Sequence, residues 1–243
     1  MTLSEKIKEQ LCGEYKFRIE MHAHTSPASP CSHISPTEMV KTYSALGYDA
    51  VVISNHFINF ILADLPKGEA ISRYIKDYED TCKAAEECGL KIILAAEVRF
   101  DENNNDYLIY GVDRSVLETV YDYFPKGIKA FRKEVKLENS VFLQAHPFRD
   151  GMERVDAALL DGIESINVHP GHNSRIGQAA KYAYENNLKI KIAGTDYHHP
   201  NVNHEGLSAI RTRVLPKDSF ELAKILKEND YVIELGADSI ILP

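Results

Sequence analysis

The chain has 243 residues, 44% of them hydrophobic and 26% charged, an ordinary globular composition that can bury a substantial core. Lys and Arg total 28 against 36 Asp and Glu, a net charge of −8, which argues against a surface that coats nucleic acid or anionic membrane. No apolar run approaches the ~20 residues of a membrane span, and four cysteines at 12, 31, 82 and 88 without a Cys-x-x-Cys pair argue against a disulfide scaffold.

Taken in order, the opening Met-Thr-Leu-Ser-Glu-Lys-Ile-Lys-Glu-Gln reads as a charged helical start rather than a signal peptide, so a cytoplasmic protein is expected. A strand is expected over 17–24, and Ser35-Pro36-Thr37-Glu38 reads as a capping box with Pro at the first helical position. A helical pattern, a Gly or Asn stop and an apolar strand then recur: Leu46-Gly47-Tyr48 before Ala50-Val51-Val52-Ile53-Ser54, and Cys88-Gly89-Leu90 before Lys91-Ile92-Ile93-Leu94-Ala95. A third copy is Asn186-Asn187-Leu188 before Lys189-Ile190-Lys191-Ile192-Ala193. Gly or Asn accepts the left-handed turn that ends a helix, and the Ile- and Val-rich run after it suits a buried strand. Further strands are expected over 106–112, 141–146, 163–168, 212–215 and 231–235, with a second capping box at Ser115-Val116-Leu117-Glu118. No linker or low-complexity stretch divides the chain, so one α/β domain over 1–243 is expected. Because no Gly-rich phosphate fingerprint follows a strand, the alternation favours a closed parallel α/β barrel over an open doubly wound sheet.

In the first strand Arg18, Glu20, His22 and His24 share one parity and Phe17, Ile19, Met21 and Ala23 the other, so the apolar face is expected to pack under helices. Two imidazoles then point the same way at the strand's carboxyl end. A His-x-His pair alone is equally a hydrogen-bonded polar patch or a metal site. Later strands tip the balance, for each delivers a ligand-type residue near its carboxyl end: His56, Glu97, His146, Asn167 with His169, and Asp196 with His198. In a barrel those ends converge on one rim, and imidazole and carboxylate donors suit Zn, Mn or Fe.

Glu20-Met21-His22-Ala23-His24-Thr25, Ser54-Asn55-His56, Ala96-Glu97-Val98, Ala145-His146-Pro147 and Gly194-Thr195-Asp196-Tyr197-His198 occur in this order. Together they resemble the polymerase-and-histidinol-phosphatase (PHP) family. The resemblance implies a distorted seven-stranded TIM-like α/β barrel with two or three divalent ions at the strand carboxyl ends. It implies that His22, His24, Glu97 and Asp196 hold the first ion, that Glu97 bridges to a second also held by His146, and that His56 and His198 serve the third. The catalytic set it implies is His22, His24, Glu97, Asp196 and His198.

Three departures from the family pattern stand out. Asn55 replaces the Asp that many members carry before the second-motif His. Ser29-Pro30-Cys31-Ser32-His33 replaces a Ser-Asp-Gly run, leaving Cys31 and His33 as alternatives for the remaining ligand of the third metal. Gly111-Val112-Asp113 stands where several relatives place a His, so Asp113 either ligates the second metal or caps the helix that begins near Ser115.

No GxSxG elbow, Walker loop or Cys-x5-Arg loop is present. The nucleophile is therefore expected to be water activated between two ions, attacking phosphorus in line. Arg149 and Arg175 together, and after them Arg99, are the expected substrate cations, because an Arg fork holds two phosphate oxygens. Arg18 is expected in an internal ion pair, Tyr197 packed beneath a helix, and His199 and His204 in solvent. The leading reading is a phosphoesterase acting on a small phosphomonoester or nucleotide-like phosphodiester, with long nucleic acid the least attractive substrate. A metal amidohydrolase and a non-catalytic metal-binding module are the alternatives.

Overall fold

The computed structural model describes residues 1–62, 65–200, 206–236 and 239–243. His204, expected in solvent, lies outside the described residues. An amino-terminal helix α1 (Leu3–Glu14) leads into β1 (Phe17–Ala23), and α2 (Pro36–Ala45) follows, capped as expected by Ser35 and Glu38. Next come β2 (Ala50–Ile53), β3 (His56–Ile58), α3 (Asn59–Leu62), α4 (Lys67–Ala85), β4 (Lys91–Leu94), β5 (Ala96–Arg99) and β6 (Asp106–Tyr110). Helices α5 (Arg114–Tyr121) and α6 (Gly127–Glu134) precede β7 (Val141–Gln144) and β8 (Gly162–Asn167). The chain closes with α7 (Ile176–Glu185), β9 (Ile190–Gly194), β10 (Ser208–Thr212), α8 (Ser219–Glu228), β11 (Tyr231–Leu235) and β12 (Ser239–Ile241).

The strands form two six-stranded sheets, in the orders β12-β11-β10-β1-β2-β4 and β3-β5-β6-β7-β8-β9. This is a mixed α/β fold, and among the described residues the ladder does not close into the expected barrel. Two of the apolar runs are each followed by a short strand that lies in the other sheet. After Ile53 the chain skips Ser54 and Asn55 and resumes as β3, and after Leu94 it skips Ala95 and resumes as β5, each time changing sheet. The sheets meet at a bridge between Ala23 and Tyr197, where His24 N donates to Tyr197 O at 3.0 Å.

Strand direction departs from the expected parallel pattern. Strand β6 runs antiparallel to both β5 and β7, and β10, β11 and β12 are antiparallel to their neighbours. The strand expected over 212–215 is displaced to Ser208–Thr212, where Ile210-Arg211-Thr212 pair with both β1 and β11.

A central core gathers Ile19, Met21, Ile93, Leu108, Leu143 and Ile192 from both sheets together with Leu222 and Leu226 of α8. The apolar parity of β1 thus packs partly against strands of the other sheet, and Tyr110 Oη donates to Met21 O at 2.9 Å across that core. A second cluster of aromatic residues includes Phe57, Tyr74, Phe100 and Phe142, and a third lies beneath α2. Tyr197 is buried there with its ring 5.6 Å from that of Tyr43, as expected of a residue facing a helix. Arg18 pairs with Glu234 at 2.9 Å, the internal ion pair expected for it.

Candidate metal centre

The strand ends bring eight side chains together. His22 Nε2 lies 3.4 Å from Glu97 Oε1 and 3.5 Å from Asp196 Oδ1, and His24 Nε2 lies 3.3 and 3.4 Å from the same two carboxylates. His56 Nδ1 is 2.8 Å from Glu97 Oε2, His146 Nε2 is 3.1 Å from Glu97 Oε1, and His198 Nδ1 is 3.3 Å from Asp196 Oδ1. Three overlapping donor groups result: His22, His24, Glu97 and Asp196; Glu97, Asp106 and His146; and His24, His56 and His198. Glu97 is shared by the first two, and His24 by the first and third.

Whether this cluster fits a cation can be asked of its unpaired atoms. His22 Nε2, His24 Nε2, His56 Nδ1 and Glu97 Oε2 are buried without a hydrogen-bond partner. Unsatisfied buried polar atoms cost about 1–3 kcal/mol each, and a bound cation would offset that cost for these four, which fall within two donor groups that share His24. Nitrogen and carboxylate lone pairs in this mixture fit a divalent ion such as Zn, Mn or Fe.

The surrounding hydrogen bonds aim the imidazoles. His22 Nδ1 donates to Glu164 Oε1 at 2.9 Å, His24 Nδ1 to Ser29 Oγ at 3.1 Å, and His198 Nδ1 to the carbonyl of Asp196 at 2.8 Å. Each bond fixes the tautomer that leaves Nε2 bare. Glu164 also accepts from the His146 amide at 2.9 Å and from Asn167 Nδ2 at 3.0 Å. A register shift in β8 between Glu164 and Ile166 lets residues three apart face the same side. His146 and Asp196 have φ of +28° and +53°, a left-handed backbone that non-glycine residues adopt at some cost, and the bond from the His146 amide to Glu164 helps hold the first.

A second buried network lies behind His24. Asn55 Oδ1 accepts from the Thr25 amide at 2.7 Å and from Ser29 Oγ at 2.9 Å, while its Nδ2 donates to Asp77 Oδ2 at 2.7 Å and Thr25 Oγ1 at 2.9 Å. The carboxylate of this network belongs to Asp77 of α4. An amide is the residue that can accept from Ser29 while donating to that carboxylate.

Burial pushes the Glu97 and Asp196 carboxyls up, but His22 and His56 beside Glu97, and His22, His198 and His24 beside Asp196, outweigh it and hold both well below the carboxylate range. Burial lowers His56, yet Glu97 and Cys31 raise it to about 10; His198, with Asp196 and Cys31 as partners, rises to about 9. His24 goes the other way, lowered by burial and by the neighbouring His198 and His56. Burial would raise the Cys31 thiol, but hydrogen bonds to His198 and His56 bring it down to about 6. Glu20, fully buried and accepting amides of Met21, His22 and Thr195, is raised by burial to about 7.

The centre opens into a cleft of about 310 Å³ that reaches Arg149, Arg99, His169 and His172. Arg149 Nη1 lies 3.7 Å from Asp196 Oδ2. Arg99 spends its fork on Asp106, at 2.7 and 2.8 Å, directly across the β5–β6 ladder. Arg175 does not reach the cleft: it donates to Phe148 O at 2.8 Å and pairs with Asp150, its own backbone being left-handed at the start of α7. His199 lines the cleft, half-buried, rather than standing in solvent.

Asp113 is not brought to the centre. Its carboxylate accepts from Val116 N at 2.9 Å and caps α5, which starts at Arg114, so the box expected at Ser115 is displaced as well. Asp106 takes the place beside His146, and sequence reasoning missed it. Both facts follow from β6: an antiparallel strand puts its amino end, Asp106, on the rim formed by the carboxyl ends of its parallel counterparts, and sends Asp113 to the far side. Glu164 was also missed; a Glu inside the apolar run Gly162-Ile163-Glu164-Ser165-Ile166 was the available signal.

A family model described as the PHP domain matches residues 20–237. Among solved structures, a two-domain protein from Bacteroides vulgatus described as containing a predicted PHP-like metal-dependent phosphoesterase aligns at TM-score 0.61 and 14% identity, covering 90% of this chain and 65% of that one. The chain thus spans about two-thirds of the length of that neighbour. A protein from Bifidobacterium adolescentis described as a candidate metal-dependent phosphoesterase aligns at TM-score 0.49 and 16% identity, over 74% of this chain and 87% of that one. An amidohydrolase from Chromobacterium violaceum aligns at 0.42 and 14%, over 75% and 88%. None of the curated proteins searched matches the chain. Among the described residues, no helix is long and apolar enough to cross a membrane.

Proposed function

The chain belongs to the PHP domain family, and on that premise we propose that it is a metal-dependent phosphoesterase acting on a small phosphomonoester or nucleotide-like phosphodiester. The observation that carries the reading is Glu97, whose two oxygens face His22, His146, His24 and His56 at 2.8 to 3.4 Å beside an arginine-bearing cleft. His22, His24, Glu97 and Asp196 would hold one divalent ion, Glu97, Asp106 and His146 a second, and His56 and His198 with His24 a third. When bound by these residues, such ions would supply a water of lowered pKa and offset charge on the attacking and leaving oxygens.

The protein's own share is orientation and charge. Glu164, Ser29 and the Asp196 carbonyl keep three imidazoles presenting Nε2. Arg149 is the cation placed to take a phosphoryl oxygen, since Arg99 is committed to Asp106 and Arg175 to Asp150. His169 and His172, with rings 4.2 Å apart in the cleft, are placed to pass a proton to a departing alkoxide. The net charge of −8 favours a small substrate over long nucleic acid.

The test pairs wild type with Arg149→Ala and His22→Ala against a panel of phosphomonoesters and phosphodiesters. Arg149→Ala should raise KM with full metal content, whereas His22→Ala should lose both metal and turnover. Turnover that persists in metal-depleted His22→Ala would overturn the proposal. Hydrolysis of amides and lactams with no phosphate release would favour an amidohydrolase.

A further inference from the structure

Arg149 reaches within 3.7 Å of Asp196 Oδ2, and the loop that carries it, 147–152, runs between two anchors. At one end the His146 amide donates to Glu164 Oε2. At the other, the Glu153 amide donates to Asn105 Oδ1 at 2.8 Å and Asn105 Nδ2 donates back to Glu153 O at 3.0 Å. Within the loop the backbone bonds are local turns, Arg149 N to His146 O at 3.0 Å and Met152 N to Arg149 O at 3.1 Å. Turns of this kind hold neighbours to one another and leave the placement of a surface loop to contacts from outside it.

Arg175 supplies such a contact. Its Nη1 donates to Phe148 O at 2.8 Å and its Nη2 pairs with Asp150, so one guanidinium grips the residues immediately before and after Arg149. The two grips differ in weight. The Asp150 side chain is 68% exposed, where an ion pair contributes little, whereas a charged donor on the carbonyl of half-buried Phe148 is the stronger tie.

The same arginine ends the opposite wall of the cleft. It follows the 168–174 loop that carries His169 and His172, whose base is closed by Asn167 Oδ1, accepting from the His169 amide at 3.1 Å and from Ser174 Oγ at 3.3 Å. Asn167 Nδ2 and the His146 amide both donate to Glu164 Oε2, so the two loops share one anchor and Arg175 joins them a second time. Its backbone is left-handed, φ +45° and ψ +51°, and its side chain makes no cap to α7, so neither conformational preference nor capping accounts for an arginine here. It does not line the cleft, so substrate contact does not account for it either.

We propose that Arg175 is a positioning residue that holds Arg149 toward the metal centre by bolting the 147–152 loop to the 168–174 loop. The inference rests on the phosphoesterase reading above, in which Arg149 takes a phosphoryl oxygen. Arg175 acts on phosphate only through Arg149, so its effect vanishes when Arg149 is gone.

The test is a double-variant cycle on the metal-loaded full chain, with Arg175→Asn, Arg149→Ala and both together. It is read by calorimetric titration with inorganic phosphate, by KM and kcat for a phosphomonoester, and by thermal unfolding. Asn tolerates the left-handed backbone, so Arg175→Asn should keep its Tm and metal content. It should weaken phosphate binding and raise KM about tenfold with kcat within about twofold, and should add nothing to the loss in Arg149→Ala. Arg175→Gly, which also suits that backbone, carries the same expectation should the first variant be unstable. Wild-type phosphate affinity in these Arg175 variants, or a loss that adds in full to that of Arg149→Ala, overturns the positioning role and leaves the phosphoesterase reading standing. Wild type that neither binds phosphate nor releases it from any ester of the panel overturns both.

Discussion

Replacing Asn55 with Asp tests the claim that the buried Asp77 carboxylate depends on an amide donor at position 55. In the wild type, Asn55 Nδ2 donates to Asp77 Oδ2 at 2.7 Å, and both residues are buried. A carboxylate oxygen in place of that nitrogen sets two negative charges at this distance, a repulsion of about 6 kcal/mol at an effective dielectric of about 20. Taking up a proton is cheaper. With an unfolded pKa of ~3.9, keeping one carboxyl protonated at pH 7 costs about 4 kcal/mol. The pair should therefore share a proton, and Asn55→Asp should lose about 4 kcal/mol of stability at pH 7.

The sign follows from linkage. The folded variant binds one proton that the unfolded chain does not, so stability falls as pH rises and recovers by ~1.4 kcal/mol per unit on acidification. At pH 5.5 the loss should shrink to about 2 kcal/mol. Urea unfolding of wild type and variant at both pH values reads this directly. The double variant Asn55→Asp with Asp77→Asn restores one carboxylate and one amide and should recover most of the loss. A stable Asn55→Asp protein at pH 7, or a loss that ignores pH, refutes the reasoning.

Other perturbations reach the centre from outside it. Glu164→Gln weakens the acceptor that orients His22 and should lower metal affinity about 10- to 100-fold by calorimetric titration, with the fold intact by circular dichroism. Gly194→Ala would place a Cβ 2.3 Å from Glu164 Oε1 and 2.5 Å from His22 Cβ, so it should cost about 1–3 kcal/mol and weaken metal binding without touching a ligand; unchanged metal affinity would count against the packing described. In metal-free protein His56 and His198 are raised to about 10 and 9, so their contribution to stability is complete below ~6.5 and is lost as pH climbs through 9 to 10. Thermal unfolding with chelator should show that loss. With metal bound the neutral imidazoles are the ligands, and the alkaline decline should flatten.

Much of the centre was legible because its motifs sit at strand ends, where side-chain parity and direction follow from the apolar runs. His22, His24, His56, Glu97, His146, Asp196 and His198 converge as those runs imply. What escaped reading depends on strand direction and bulges. The apolar run 106–112 looks the same whichever way it runs, yet reversing it exchanges Asp113 for Asp106 at the rim. The register shift in β8 turns Glu164 and Asn167 to one side, which strict alternation forbids. Short β3 and β5 fall outside the expected strands, because a sheet change at Ser54-Asn55 or Ala95 needs no Gly or Pro to mark it. Arg175 kept its expected place after His169 but turned to Phe148 and Asp150, a choice made by its left-handed backbone.

The central claim is that convergent histidines and carboxylates hold metal for phosphoester hydrolysis. Its most direct test is metal content by mass spectrometry on protein purified without chelator, read together with phosphate release from a phosphomonoester and phosphodiester panel before and after chelation. Two or three ions per chain, with phosphate release that stops on chelation and returns with added Mn or Zn, is the result expected. Sites that stay empty in excess Mn and Zn, or hydrolysis indifferent to chelation, would contradict it.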